Sequence, residues 1–342
     1  MIVPALPTAY TSLPELLNIS NWSFNGIDMY DAIRGLPAYQ VADHFHSILE
    51  KEVYAMERIL SGDPRETYMA TLGRIKTRPQ RCFVFSYRFN KRIEPAIKLI
   101  QEQKVTWVLD AGCGLGTEAL LFGLMGVKVA AIDIHEDRYE AAKSRLNWWR
   151  EQIYPGLDVE FYLRDTRSLI KELEIDKGHR KLVWLAEAIS HIFPPDDFLK
   201  NVYNLMDADD ILVVSETNNL NPIAFLSNRK EQRRRYVNMG REEKEMYRKE
   251  GIWIYPWTKQ DPETGETVYI SNEKLWTPMG FKRLLKRTGF KKIRYKTLRY
   301  IPNVFFFSKV VFPFLKFLET VFSRIPIINV FGVYQIIQAE KE

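Results

Sequence analysis

Between Val105 and Val214 short apolar runs alternate with amphipathic segments, and this rhythm restricts the chain more than any other feature. The runs are Trp107 to Leu109, Val127 to Ile134, Val159 to Leu163, Leu182 to Ala186 and Ile211 to Val214. Segments with helical spacing separate them, at Thr117 to Met125, Glu136 to Gln152, Thr166 to Leu173 and Pro195 to Met206. Strands that are apolar on both sides of the pleat need cover on both faces. The alternation therefore predicts an α/β fold, a buried parallel sheet with helices on both faces.

Residues 1–80 show helical periodicity, best from Ala38 to Leu60, where Val41, Phe45, Ile48, Val53, Met56 and Leu60 recur on one side. They read as an N-terminal helical cap on a larger domain spanning 81–342. After the fifth run the rhythm breaks. Residues 219–273 are polar, charged and aromatic, and read as an insertion covering an acceptor pocket. The rhythm resumes at Thr277, an N-cap followed by Pro278, with Gly289 closing a short basic helix. Two further strands are expected at Lys292 to Tyr300 and Val333 to Ala339.

With 46% apolar and 27% charged residues over 342 positions, the composition is that of an ordinary folded protein and excludes long disorder, collagen-like repetition and a coiled-coil rod. Its two cysteines, Cys82 and Cys113, cannot build a disulfide scaffold or a cysteine zinc ribbon, and point to a reducing, cytoplasmic setting. The first residues lack a basic stretch followed by a sustained apolar one, and no segment reads as a spanning helix.

The first strand runs into Asp110-Ala111-Gly112-Cys113-Gly114-Leu115-Gly116-Thr117-Glu118, with a helix directly after it. Alternate glycines let the backbone turn sharply and approach a ligand at the helix N-terminus. Dinucleotides and S-adenosylmethionine both use such a turn. Here the spacing is Gly-x-Gly-x-Gly rather than the Gly-x-Gly-x-x-Gly of a pyrophosphate site. Asp110, two residues before the first glycine, would repel a diphosphate and favour a cationic amino-acid portion, so the charge argues for S-adenosylmethionine.

A second acid, Asp133, ends the next strand just before Ile134, 17 positions beyond Gly116. A carboxylate there can accept from both ribose hydroxyls. The third strand ends in Arg164-Asp165-Thr166, and Asp165 either accepts from an adenine amino group or acts as a plain helix N-cap.

These features resemble the class I S-adenosylmethionine-dependent methyltransferases. Asp110 to Gly116 matches the first motif of that family, Asp133 its ribose-binding acid and Asp165 its acid near adenine. Glu187-Ala188-Ile189-Ser190-His191-Ile192 is similar to the motif after strand four in ubiquinone-biosynthesis-type small-molecule methyltransferases, and Thr277 to Phe290 resembles the helix before strand six. The resemblance covers 105–216 and 275–299. It implies a Rossmann-like sheet of seven strands in the order 3-2-1-4-5-7-6, the seventh antiparallel, with S-adenosylmethionine held by Asp110, Gly112, Gly114, Gly116, Asp133, Ile134, Asp165, Thr166 and Glu187.

Methyl transfer from a sulfonium is an in-line displacement, so the protein aligns the partners and excludes water. An acceptor that carries a proton also needs a base. His191, just beyond the fourth strand, is the candidate for an oxygen acceptor, its alternative being a structural histidine. Glu187 either touches the cosubstrate or caps a helix. Relatives with Glu-x-x-Glu-His gather a metal ion there; this chain has Ser190 in place of the second acid, so no metal is assigned.

The net charge is +6, and between Glu273 and Glu319 stand twelve Lys or Arg and no acid. From Asn303 to Phe331 there are eight phenylalanines, and Val311, Phe314, Leu315, Leu318, Val321 and Phe322 fall on one helical stripe. The stripe either packs on the sheet or on a second copy in a homodimer, or rests at a membrane interface. Nucleic acid is disfavoured, as no RNA-binding motif accompanies the basic residues. The sequence thus reads as an S-adenosylmethionine-dependent methyltransferase acting on a small hydrophobic or glycan-bearing acceptor, on oxygen. Its rivals are a non-catalytic S-adenosylmethionine sensor or scaffold and an NAD-dependent oxidoreductase.

Overall fold

Five consecutive buried residues, Trp107–Ala111, form the central strand β1. Their side chains alternate between two apolar layers, with Val108 on one side and Trp107, Leu109 and Ala111 on the other. A strand built this way holds helices on both faces. The structure, a computed structural model, describes residues 35–77, 82–103, 105–173, 175, 178–192, 194–218, 220–221, 241, 244–245, 253–260, 264–265, 267–272, 276–298, 312–325 and 330–341.

Among the described residues four helices precede β1: α1 Ala38–Ile59, α2 Gly62–Thr71, α3 Arg74–Thr77 and α4 Cys82–Gln103. After it come α5 Thr117–Leu124, β2 Lys128–Asp133, α6 Glu136–Gln152, β3 Val159–Leu163, α7 Thr166–Glu172, β4 Lys181–Ala186, α8 Pro195–Leu205 and β5 Ile211–Thr217. The chain then forms β6 Trp253–Gln260, β7 Thr267–Asn272, α9 Pro278–Arg287, β8 Lys291–Leu298, α10 Phe312–Arg324 and β9 Tyr334–Glu340.

The main sheet has the order β3-β2-β1-β4-β5-β9-β8, which is the expected 3-2-1-4-5-7-6. Strands β1 to β5 pair in parallel, with Leu109 opposite Ala130 of β2 and Val183 of β4. Only β9 runs against its neighbours, Ile337 lying opposite both Val214 of β5 and Tyr295 of β8. The chain leaves β1 toward β2 and β3, then returns to β4 on the other side. That reversal opens a crevice at the carboxyl ends of the strands, beside β1.

One apolar layer joins α1, α4, α5 and α6 to the sheet through Phe45, Ile97, Phe122 and Trp149. The other gathers Phe198 and Val202 of α8 and Phe281 and Leu285 of α9. The cap helix α1 begins after Pro37 and buries Val41, Phe45, Ile48, Leu49, Val53 and Met56, leaving Tyr39 and Tyr54 in solvent. Phe45 stacks on Phe89 of α4 at 5.6 Å and meets Trp149 of α6 at 5.3 Å. Thr277 caps α9 as expected, its hydroxyl accepting from the Gly280 amide at 3.0 Å.

Residues 219–273 contain a separate antiparallel hairpin, β6 with β7, whose register shifts between Ile254 and Thr258. The charged stretch at 228–250 lies outside the described residues except for helical positions at 241 and 244–245. In α10 the described members of the expected stripe divide: Phe314 and Val321 are exposed, Leu318 and Phe322 half-buried, while Phe317, off the stripe, is 62% exposed and Glu319 is buried. Residues 303–311, the first part of the phenylalanine-rich segment, lie outside the described residues. Among the described residues no helix is long and apolar enough to cross a membrane.

Candidate functional site

The turn after β1 is held from both sides. The amides of Gly112 and Cys113 donate to the Ile132 carbonyl at 2.8 and 2.9 Å, tying the turn to the end of β2. Gly112 has φ +79°, and a Cβ there would stand 2.6 Å from the Ala188 methyl just beyond β4. Gly116 has φ +70°, and its missing Cβ leaves room for the ring of Phe161 on β3. Glycine is required at both positions by conformation and by close approach.

Asp133 fastens this turn. One carboxylate oxygen accepts from the Gly114 amide at 2.8 Å, the other from its neighbour's amide at His135, also at 2.8 Å. A carboxylate has about four lone-pair sites. Two are used here, and the rest remain for further donors.

Asp110 is 2% exposed at the end of β1. Its Oδ2 is buried with no hydrogen-bond partner among the described residues. Burial, reinforced by Glu118 and Asp133, pushes its carboxyl well above the ordinary carboxylate range, against a smaller opposing pull from Arg92. Burial likewise raises the thiol of Cys113, with Asp110 and Asp133 adding to it.

Two residues that sequence patterns did not single out complete this edge. Glu118 lies in the first turn of α5, 7% exposed, in an ion pair with Arg92 of α4. Arg92 also stands 3.6 Å from Glu187 at the end of β4. Burial opposes the charge on Arg92, but Glu118 and Glu187 outweigh it and hold the guanidinium above its ordinary value. Glu187 itself has φ +53°, a strained backbone for a non-glycine residue.

Of the other expected residues, Ile134 follows Asp133 half-buried. Asp165 and Thr166 lie one strand further out, at the end of β3, both buried. Asp165 caps α7, accepting from the Arg167 amide at 3.2 Å and pairing with the Arg167 side chain at 2.8 Å. His191 closes a 3-10 turn, Ile189–His191, beyond β4, and is exposed. Strand β7 of the hairpin runs alongside that turn. Ser190 beside it is buried, its amide donating to Glu216 at 3.2 Å. Trp276 belongs to the core, edge-on to Phe281 at 5.6 Å, while the side chains of Trp253, Tyr255, Trp257 and Tyr269 lie outside the described ones. Among the described residues no group of three His, Cys, Asp or Glu is arranged to hold a metal ion.

The four strand ends β3-β2-β1-β4 are contiguous, so Asp165, Asp133, Asp110 and Glu187 share one rim with the glycine turn. Such a rim is anionic. An unpartnered carboxylate oxygen beside a turn shaped for close backbone approach fits a compact cationic ligand and repels a phosphate.

Residues 102–270 match the family model of a methyltransferase domain. No curated protein matches the sequence. Among solved structures, the chain is similar to magnesium protoporphyrin IX methyltransferase from Synechocystis PCC 6803 with bound SAH, at 13% identity over 80% of this chain and 97% of that one, TM-score 0.44. It is also similar to a SAM-dependent methyltransferase from Archaeoglobus fulgidus, at 18% identity over 76% and 99%, TM-score 0.40. A third, from Methanosarcina mazei, shares 20% identity over 70% and 93%, TM-score 0.41.

Proposed function

We propose that this chain is a class I S-adenosylmethionine-dependent methyltransferase, with that sulfonium as its cosubstrate, and that it methylates an oxygen of a small hydrophobic or glycan-bearing acceptor. The observation that carries the cosubstrate site is the Oδ2 of Asp110, buried beside the glycine turn with no hydrogen-bond partner among the described residues. An ammonium would satisfy it.

In this reading Gly112, Gly114 and Gly116 bring the backbone against the amino-acid portion of the cosubstrate. Asp133, with lone pairs left over, accepts from the ribose hydroxyls, and Ile134 packs beside them. Asp165 and Thr166 border the adenine, and Glu187 closes the β4 side. The cosubstrate supplies an activated methyl group. The protein holds the acceptor oxygen in line with it, and the His191 imidazole removes the hydroxyl proton, leaving the oxygen nucleophilic. The run of β7 beside the His191 turn supports placing the acceptor under the insertion.

The test is incubation of the protein with methyl-labelled S-adenosylmethionine and fractionated extract, followed by mass analysis. Label in a small organic-soluble molecule, on oxygen, is expected. Label on protein or nucleic acid overturns the acceptor class. Binding without any labelled product favours the sensor reading.

We also propose that α10 rests on an anionic membrane surface. Leu298 ends β8 opposite Tyr334, which starts β9 and also faces Thr217 at the carboxyl end of β5. The connection bearing α10 therefore leaves and re-enters the sheet at the rim that carries the site. Phe314, Phe317, Val321 and Ile325 are exposed on α10 and just after it, and Arg294 and Lys296 are exposed on the edge strand β8. An exposed apolar helix in a chain whose flanking strand carries exposed positive charge suits a lipid interface. Flotation with phosphatidylserine vesicles is expected, and its loss in Phe314→Ser/Phe317→Ser. A concentration-dependent dimer abolished by the same substitutions, without flotation, assigns the stripe to a second copy instead.

A further inference from the structure

Between α4 and the outer strands β8 and β9 lies a cavity of about 360 Å³, the size of a small organic ligand. Among the described residues that line it, none belongs to the glycine turn or to the acidic rim.

Its make-up follows from two periodicities. On α4, Lys91, Glu94, Pro95, Lys98, Leu99 and Glu102 recur at intervals of three and four, which sets them on one side of the helix. On β8 the alternate residues Arg294, Lys296 and Leu298 share a face, and pairing puts Gln338 and Ile336 of β9 on that same face. Pro95, Leu99, Leu298 and Ile336 give the cavity an apolar floor. Lys91 and Lys98 stand on the helix wall, Arg294 and Lys296 on the strand wall, and all four are exposed.

The two walls differ in what their cations already hold. Glu94 takes both lysines of α4, 3.4 Å from Lys91 and 2.8 Å from Lys98. On β8, Lys292 pairs with Glu340 at 3.4 Å, whereas Arg294 and Lys296 hold no acid among the described residues. Four cations against the carboxylates of Glu94 and Glu102 leave the lining with two positive charges. A phosphate monoester carries about −1.5 to −2 at neutral pH, and its oxygens suit an arginine fork with a lysine beside it. A bare inorganic anion would use the cations and leave the apolar floor uncovered.

We propose that this cavity binds the phosphate monoester head of an amphiphile, with Arg294 and Lys296 as its principal partners and the apolar floor under the first carbons of its chain. Such a head is offered by a soluble amphiphile and by phosphatidate in a bilayer, and two arms of the experiment tell these sources apart. The site rests neither on the cosubstrate reading nor on α10, since a monomeric probe needs no membrane.

The first arm is calorimetry with dihexanoyl phosphatidate below its micelle concentration. It is expected to bind at least about tenfold tighter than inorganic phosphate, the worth of burying two methylenes, and tighter than dihexanoyl phosphatidylcholine, which has the same chains and no net charge. Arg294→Ala/Lys296→Ala is expected to weaken phosphatidate about 10- to 100-fold, with its melting temperature unchanged. Arg283→Ala/Lys286→Ala removes the same charge from exposed positions on α9, which packs on the other face of the sheet. At physiological salt it is expected to leave binding within about twofold. Equal losses in the two variants overturn the site, because binding would then follow net charge alone. Phosphatidate held no tighter than inorganic phosphate overturns it as well. The second arm is flotation with phosphatidate in phosphatidylcholine vesicles. Flotation lost in Arg294→Ala/Lys296→Ala assigns the head to a bilayer, and monomer binding without flotation assigns it to a soluble amphiphile. Flotation that survives these substitutions, with no binding of the monomer, overturns the site and leaves α10 as the anchor; no binding in either arm overturns it too.

Discussion

Glu52 and Arg145 are both fully excluded from water and face each other between α1 and α6, the Arg145 Nη2 lying 3.1 Å from the Glu52 carboxylate. Trp149 and Tyr68 also donate to Glu52, at 2.8 and 3.1 Å. Arg145 in turn donates to the Leu115 carbonyl and, at 2.9 Å, to the Thr117 hydroxyl. An acid of the cap thus steadies the glycine turn through one guanidinium. Glu52→Ala leaves a buried charge uncompensated and is expected to cost roughly 3–5 kcal/mol, read as a lower urea midpoint. Because the Leu115 carbonyl then loses a well-placed donor, affinity for S-adenosylhomocysteine falls as well. An unchanged midpoint would contradict this coupling.

Removing Asp133 strips two backbone amides of their acceptor at once. Asp133→Ala is expected to abolish measurable cosubstrate binding by calorimetry and to destabilise the protein by roughly 1–3 kcal/mol for each donor left buried. Full cosubstrate affinity in the variant would remove the ribose role.

The Asp110 carboxyl holds its proton more tightly folded than unfolded, since burial and then Glu118 and Asp133 raise it above its ordinary value of 3.8. Its contribution to stability is therefore complete below that value and is lost as pH climbs toward the raised one. Asp110→Asn, which cannot ionise, is expected to melt higher than the wild type at pH 8 without ligand. It should also lose cosubstrate affinity, because the ammonium loses its counter-charge. A wild-type protein whose ligand-free stability advantage over Asp110→Asn grows with pH would reverse the sign.

Gly112→Ala combines a left-handed backbone, worth roughly 1–2 kcal/mol against any L side chain, with a methyl 2.6 Å from that of Ala188. The turn must shift away from β4. We expect a lower melting temperature and loss of S-adenosylhomocysteine binding, both visible in one thermal-shift titration.

His191→Ala is expected to slow methyl transfer about 10²- to 10⁴-fold, the usual contribution of a positioned base. His191 is exposed, so stability should hold, and S-adenosylhomocysteine should bind as before. A variant with full turnover would mean that the acceptor needs no base.

Much of this architecture was legible before any coordinate. Strand Val159–Leu163 and helix Glu136–Gln152 lie where their periodicity put them, because a run of apolar residues has few ways to hide from water. The glycine turn and Asp133 were legible for a related reason: they are adjacent in sequence to strand ends, and parallel pairing forces those ends together. Local order thus determined which segments form strands and helices, where the rim lies and that it is acidic. The engagement of Arg92 with Glu118 and of Glu52 with Arg145 spans 26 and 93 residues. Neither follows from composition or spacing, since a buried ion pair leaves no periodic trace. Likewise the repeat in 312–324 shows that a stripe exists, yet not that Phe314 and Phe317 look outward while Glu319 looks in. Side chains on one helix or strand are placed by their own backbone; which distant partner they meet depends on how whole elements pack, and only the folded chain decides that.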